Sequence, residues 1–127
     1  MDNKRTWIYC RTARPDAHAL MMQQRALEEY AQKNDLCVVG TTIEQASGFN
    51  YCRRGLSEVF VAVEAGKIDS LLVLKLSCLG RDTVKTDACL HWLEERLVEV
   101  ICADGTVPQT TTDILLNLMS ASGVSPH

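Results

Sequence analysis

A chain of 127 residues has room for one domain, since domains run to roughly 100–200 residues. Its 46% hydrophobic and 23% charged content is that of a globular protein, and no stretch is apolar enough to cross a bilayer or act as a secretory signal, so a soluble, cytoplasmic protein is expected. The net charge of −3 excludes general attraction to a polyanion, so contact with nucleic acid would depend on a local cluster of arginines.

The first apolar run, Trp7-Ile8-Tyr9-Cys10, reads as a strand, and Arg14-Pro15-Asp16 breaks it and offers Asp16 as a helix cap. From Ala17 to about Lys33, the residues Ala17, Leu20, Leu27, Tyr30 and Ala31 share one stripe at helical period. Leu36 to Ile43 is rich in β-branched residues and predicts a second strand, followed by a polar loop from Glu44 to Cys52. Leu56, Val59, Phe60 and Val63 mark a second helix, which Gly66 ends in the position favoured for a left-handed cap. Ser70 to Leu76 is almost unbroken apolar sequence, as expected for a strand covered on both faces. Asp82 or Thr83 caps a third helix with Thr86, Cys89, Leu90, Leu93 and Leu97 on one stripe, and Val98 to Ala103 supplies a fourth strand. A polar stretch from Thr106 to Thr112 then leads to a short apolar helix, Ile114 to about Met119. Strands alternating with helices predict an α/β fold, a mostly parallel central sheet of four to five strands with helices on both faces.

Six cysteines, Cys10, Cys37, Cys52, Cys78, Cys89 and Cys102, include no CxxC pair, and several lie in apolar runs such as Leu36-Cys37-Val38-Val39. Reduced thiols acting as small buried hydrophobes are expected. His18, His91 and His127 have no partner at metal spacing, and neither metal nor cofactor is expected. Ser47-Gly48 with Asn50 lacks the glycine density and the lysine of a phosphate loop.

In a parallel α/β sheet, ligands meet the protein at the carboxyl ends of the strands. Arg11 ends the first strand, Arg53 follows the loop after the second and Arg81 follows the third, so all three should face one crevice. Convergent guanidiniums make a plausible phosphodiester clamp, because their forked donors match phosphate oxygens. Spacing alone favours the plainer reading of each as a solvated or salt-bridged loop arginine.

Several motifs occur in order along the chain. They are Tyr9-Cys10-Arg11, then Gln23 with Arg25-Ala26-Leu27, then Ser47-Gly48 with Arg53 and Gly55-Leu56, then Ala65-Gly66-Lys67-Ile68-Asp69, then Leu79-Gly80-Arg81-Asp82. In that order and spacing they resemble the catalytic domain of the resolvase/invertase family, the serine recombinases, over residues from about 6 to 120. The resemblance implies a resolvase-like domain in which a serine hydroxyl attacks the scissile DNA phosphate and arginines stabilise the charge that builds on it. It matches Arg11, Arg53 and Arg81 to the arginines around the phosphate, and Gln23 to a glutamine of the first helix.

The same comparison exposes three departures. The family's first strand ends Tyr-x-Arg-x-Ser, and here Ala13 stands at the nucleophile position. Its later segment reads Leu-Asp-Arg-Leu-Gly-Arg-Asp, and here Ser77-Cys78 replaces the Asp-Arg pair, whose arginine contacts the phosphate. Loss of a covalent nucleophile removes roughly six orders of magnitude in rate. Thr12 is not a substitute, because side chains alternate faces along a strand. Cys78 near Arg81 could be a reactive thiol or a bystander. In the family the last helix mediates dimerisation and leads into a separate DNA-binding domain. Here Gly123 and Pro126 limit that helix to a few turns, so a single domain with a truncated final helix and without a DNA-binding domain is expected.

The reading that follows is an inactive recombinase-like domain. The partners it implies are the DNA phosphodiester backbone, weakly bound by this chain alone, and a second copy or another recombinase, with no membrane. Two rivals stay open: an active DNA recombinase whose nucleophile lies elsewhere, and an unrelated doubly wound enzyme binding a small phosphorylated ligand.

Overall fold

The computed structural model describes residues 4–47 and 53–108. Strands β1 (Arg5–Thr12), β2 (Cys37–Gln45), β3 (Ser70–Val73) and β4 (Glu99–Cys102) form one sheet in the order β2-β1-β3-β4, and every pairing is parallel. They alternate with α1 (Ala17–Lys33), α2 (Arg54–Glu64) and α3 (Thr83–Glu95).

The chain steps one way from β1 to β2 and the other way from β2 through β3 to β4. Right-handed crossovers therefore place α1 on one face and α2 and α3 on the opposite face. The core divides accordingly. Ile8, Cys10 and Leu72 pack with Leu27 and Ala31 of α1, whereas Tyr9, Leu71 and Val73 pack with Leu56, Val59, Leu90 and Leu93. No described helix is long and apolar enough to cross a membrane.

Caps close the helices where local sequence places them. The Asp16 carboxylate accepts from Ala19 N at 2.9 Å, and Asp82 accepts from Lys85 N at 3.0 Å. At their other ends all three helices stop in the same way. Leu36 N donates to Ala31 O, Lys67 N to Ala62 O and Val98 N to Leu93 O, each reaching back five residues. The residue before each of these donors, Asp35, Gly66 or Leu97, has positive φ, which makes three Schellman motifs.

Several expected boundaries move. Leu97 was expected on the core stripe of α3, but its left-handed conformation (φ 60) turns the side chain out to 88% exposure. The strand expected from Ser70 to Leu76 pairs only to Val73. Beyond it Ala103 N and Asp104 N take the carbonyls of Val73 and Leu74, and Leu76–Cys78 forms a single 3-10 turn. β2 runs two residues past Ile43, and because it is an edge strand Cys37 is exposed rather than buried. Ala17, placed on the apolar stripe of α1, is also exposed. The apolar stretch Ile114 to Met119 and Cys52 lie outside the described residues.

Candidate active site

The β1 connection leaves toward one edge of the sheet and the β3 connection toward the other, so the carboxyl ends of β1 and β3 form a topological switch point. Arg11 reaches across it. Its Nε donates to Cys78 O at 2.9 Å, its Nη2 to Ser77 O at 2.7 Å and its Nη1 to Ala46 O at 2.9 Å. The end of β1, the residue after β2 and the tight turn after β3 bring those carbonyls within reach of the side chain of Arg11, a residue that is 6% exposed. Burial first, and then the positive charges of Arg53 and Arg81, with Tyr9 and Cys78 acting in the opposite sense, hold the Arg11 pKa below its ordinary value. Arg11 thus lies within the fields of both other sequence-predicted arginines.

Gln23, on α1, treats the backbone of Arg11 as a neighbouring strand would. Its Oε1 accepts from Arg11 N at 3.0 Å and its Nε2 donates to Arg11 O at 3.3 Å. The same Oε1 lies 3.7 Å from Cys78 Sγ. Cys78 is buried at 3% exposure, as are its neighbours Cys10 and Cys102. Burial, and then the proximity of Cys78, push the Cys10 thiol up to about 12; burial, then Asp104 and Cys78, push Cys102 up to about 11. A reactive-thiol role for Cys78 finds no exposed sulfur to act through.

Arg53 precedes α2 and is 3% exposed. Its Nη2 donates to Leu79 O, its Nη1 to Ser47 O at 3.4 Å, its Nε lies 3.7 Å from Glu44 Oε2, and its guanidinium stands 5.7 Å from the centre of the Tyr9 ring. Arg81, by contrast, is exposed. Neither Arg11 nor Arg53 is the solvated loop cation that spacing alone allowed; both tie loops together through main-chain carbonyls.

Glu44 is the residue that sequence reasoning missed. Its carboxylate accepts from the Tyr9 hydroxyl through Oε2 and from Gly55 N at 2.9 Å through Oε1, and so caps α2, whose N-cap residue Arg53 supplies no side-chain bond. A cap-less helix start after a strand-end carboxylate was the available signal. Gly55 permits the approach, since a Cβ there would lie 2.7 Å from both carboxylate oxygens. Burial and the bond to Glu44 raise the Tyr9 pKa well above its ordinary value, so the phenol remains a protonated donor.

Ala13 follows β1 directly and is exposed at this edge, its carbonyl accepting from Gln45 Nε2 at 3.2 Å. Thr12 spends its hydroxyl on Arg14 O at 2.8 Å. Ser77 is half-buried and meets Arg11 through its carbonyl. Of the histidines, His18 is exposed and His91 Nε2 lies 3.8 Å from Asp87 Oδ2. Among the described residues no group of three or more histidines, cysteines or carboxylates could hold a metal.

Fold and site together define a doubly wound α/β domain with an arginine cluster at its switch point. The family model for the resolvase N-terminal domain matches residues 6–122, and the chain belongs to the resolvase family. Solved structures agree. The C-terminal catalytic domain of ISC1926 TnpA, an IS607-like serine recombinase, is 25% identical with a TM-score of 0.74, over 92% of this chain and 79% of that one. The N-terminal catalytic domain of TP901-1 integrase is 21% identical with a TM-score of 0.76, over 94% of each chain. A resolvase family site-specific recombinase from Streptococcus pneumoniae is 18% identical with a TM-score of 0.74, over 94% and 85%. A search of curated proteins found no match. The fold is that of a serine recombinase catalytic domain.

Proposed function

We propose that this chain is a serine recombinase catalytic domain that engages DNA phosphodiester weakly and does not cleave it. The observation that carries this reading is Ala13, a methyl group exposed at the strand end beside the arginine cluster, where the family motif places the attacking hydroxyl. The hydroxyls of β1 nearest to it offer no replacement. That of Thr12 is donated to Arg14 O, and that of Tyr9 is buried and held by Glu44. A phosphate at this edge would meet the exposed cations Arg14, Arg54, Lys75 and Arg81 rather than the buried donors of Arg11 and Arg53. Solvated cations of this kind give salt-sensitive, sequence-independent contacts. Ser77 and Cys78 still supply the carbonyls that hold Arg11, so the frame of the site survives substitutions that remove its chemistry.

The test is incubation with supercoiled plasmid, followed by agarose and denaturing gels. Neither a nick nor a covalent protein–DNA adduct is expected, and either one would overturn the proposal. Ala13→Ser alone is expected to stay silent, because residues that act as one catalytic unit are strongly non-additive. Cleavage by that single variant would show that Ser77 and Cys78 are compatible with catalysis.

A further inference from the structure

Asp104-Gly105 is the single Asp-Gly pair of the chain, and it sits in the turn that follows β4. Every other aspartate precedes a residue with a side chain. Glycine has no Cβ to shield its amide nitrogen, and both residues are exposed, so solvent reaches the peptide bond between them.

The Asp104 carboxyl lies toward that bond. Its Oδ1 accepts from Thr106 N at 2.9 Å, which folds the side chain forward over the Gly105 amide. Gly105 has φ 89, and even a Cβ added there would meet nothing within 4 Å, so no neighbouring side chain covers the residue. One bond resists: Gly105 N donates to Cys102 O at 3.1 Å, and the turn must open before that nitrogen can react. Asp69, which precedes the small Ser70, shows the opposite arrangement. Arg5 holds its carboxylate through N, Nε and Nη2, and Ser70 is buried in β3.

We propose that Asp104 is a site of spontaneous backbone modification, converting to isoaspartate through a cyclic imide. Gly105 N attacks Asp104 Cγ, a C–N bond forms, and the carboxyl hydroxyl leaves as water with the amide proton. Water then adds to the ring. Addition at the main-chain carbonyl carbon breaks its bond to Gly105 N, so the chain now runs through Cγ and carries a free α-carboxylate. Addition at Cγ restores aspartate. No cofactor or oxidant enters, and ring closure is favoured because both reacting groups belong to adjacent residues. Isoaspartate lengthens the backbone by one carbon and removes the side-chain acceptor from Thr106 N. Val107 and Pro108, which line a hollow of about 210 Å³ with Leu90, Val98 and Val100, are shifted by the added carbon. No residue of the arginine cluster takes part, so the inference is independent of the reading of that cluster.

Ageing the full chain at near-neutral pH and body temperature, then labelling it with an isoaspartyl methyltransferase and tritiated S-adenosylmethionine, tests the proposal. Label is expected to accumulate with time and to map to the peptide that holds Asp104, with the mass unchanged before labelling. In the chain unfolded by guanidinium chloride it should accumulate on the order of tenfold faster, because the bonds to Cys102 O and from Thr106 N no longer have to open. Asp104→Glu, whose longer side chain would have to close a larger ring, is expected to lose the label from that peptide. Absence of label at Asp104, label persisting there in Asp104→Glu, or equal rates in the folded and unfolded chain would overturn the proposal.

Discussion

At the amino edge of the sheet each helix hands over to the next strand within a single turn, while at the carboxyl edge the loops are held by bonds that span much of the chain. The amino edge repeats one local device three times, a Schellman motif with Asp35, Gly66 or Leu97 at its left-handed position. Its charges pair at the surface, Lys4 with Glu99 and Arg5 with Asp69, all of them roughly half exposed. The carboxyl edge uses Arg11 to join residues 66 and 67 positions away and Arg53 to join Leu79, 26 positions away. The difference shows where this fold places its irreplaceable polar groups. Exposed ion pairs contribute little because water competes for both partners, whereas a buried guanidinium that satisfies several carbonyls leaves them all stranded when it is removed.

The largest effect should therefore come from Arg11→Met. It strips a donor from each of the carbonyls of Ala46, Ser77 and Cys78, and urea denaturation is expected to show a loss of about 3–5 kcal/mol. Arg11→Lys should recover only part of this, since a single ammonium cannot reproduce the fork. A loss below about 1 kcal/mol would put the two edges on the same footing, at the level of a surface pair.

Next in size is Gly55→Ala, where the new Cβ would crowd the Glu44 carboxylate away from Tyr9 and the start of α2. A cost of about 2 kcal/mol is expected from overpacking. Wild-type stability in this variant would mean that Glu44 can shift freely and that the carboxyl edge is looser than its bonds imply.

At the amino edge the three left-handed positions can be ranked against one another. Leu97→Gly should stabilise the protein by about 1 kcal/mol, because the strained conformation is relieved and an almost fully exposed side chain gives up little packing. Asp35→Gly should gain less, since aspartate tolerates this region better, and Gly66→Ala should lose about 1 kcal/mol. Thermal melts of the three variants give the order directly, and a destabilised Leu97→Gly would contradict the strain argument.

The smallest effect concerns pH. Hydrogen bonds from Arg5 hold the Asp69 carboxyl down to about 2, below its unfolded value near ~4. Between those two values the unfolded chain binds the extra proton, so the Asp69 contribution is complete above about pH 4 and fades as pH falls toward 2. Asp69→Asn should flatten the stability profile in that window, and salt should shrink the difference, because the pair is solvent-exposed. A profile identical to wild type would remove even this modest role for the surface pair.

What could be read from residue order alone was whatever acts over a few residues. Apolar periodicity marked the helices α1, α2 and α3 and the four strands, Asp16 and Asp82 announced helix starts, and Gly66 announced an end. The placement of Arg11, Arg53 and Arg81 after strand ends followed from the order of the predicted strands, whereas Gln23, and Ala13 where the family has its serine, followed from the resemblance to the family. Tertiary structure alone decided the strand order β2-β1-β3-β4, and with it the exposure of Cys37 on an edge strand. It also ended β3 at Val73, bent the following turn so that Ser77 and Cys78 offer carbonyls to Arg11, and placed Glu44 against Tyr9 and α2. The left-handed Leu97 belongs with these, for nothing in a leucine favours that conformation. A hydrogen bond between segments dozens of residues apart depends on which surfaces the packed core brings together, and local pattern carries no record of that meeting.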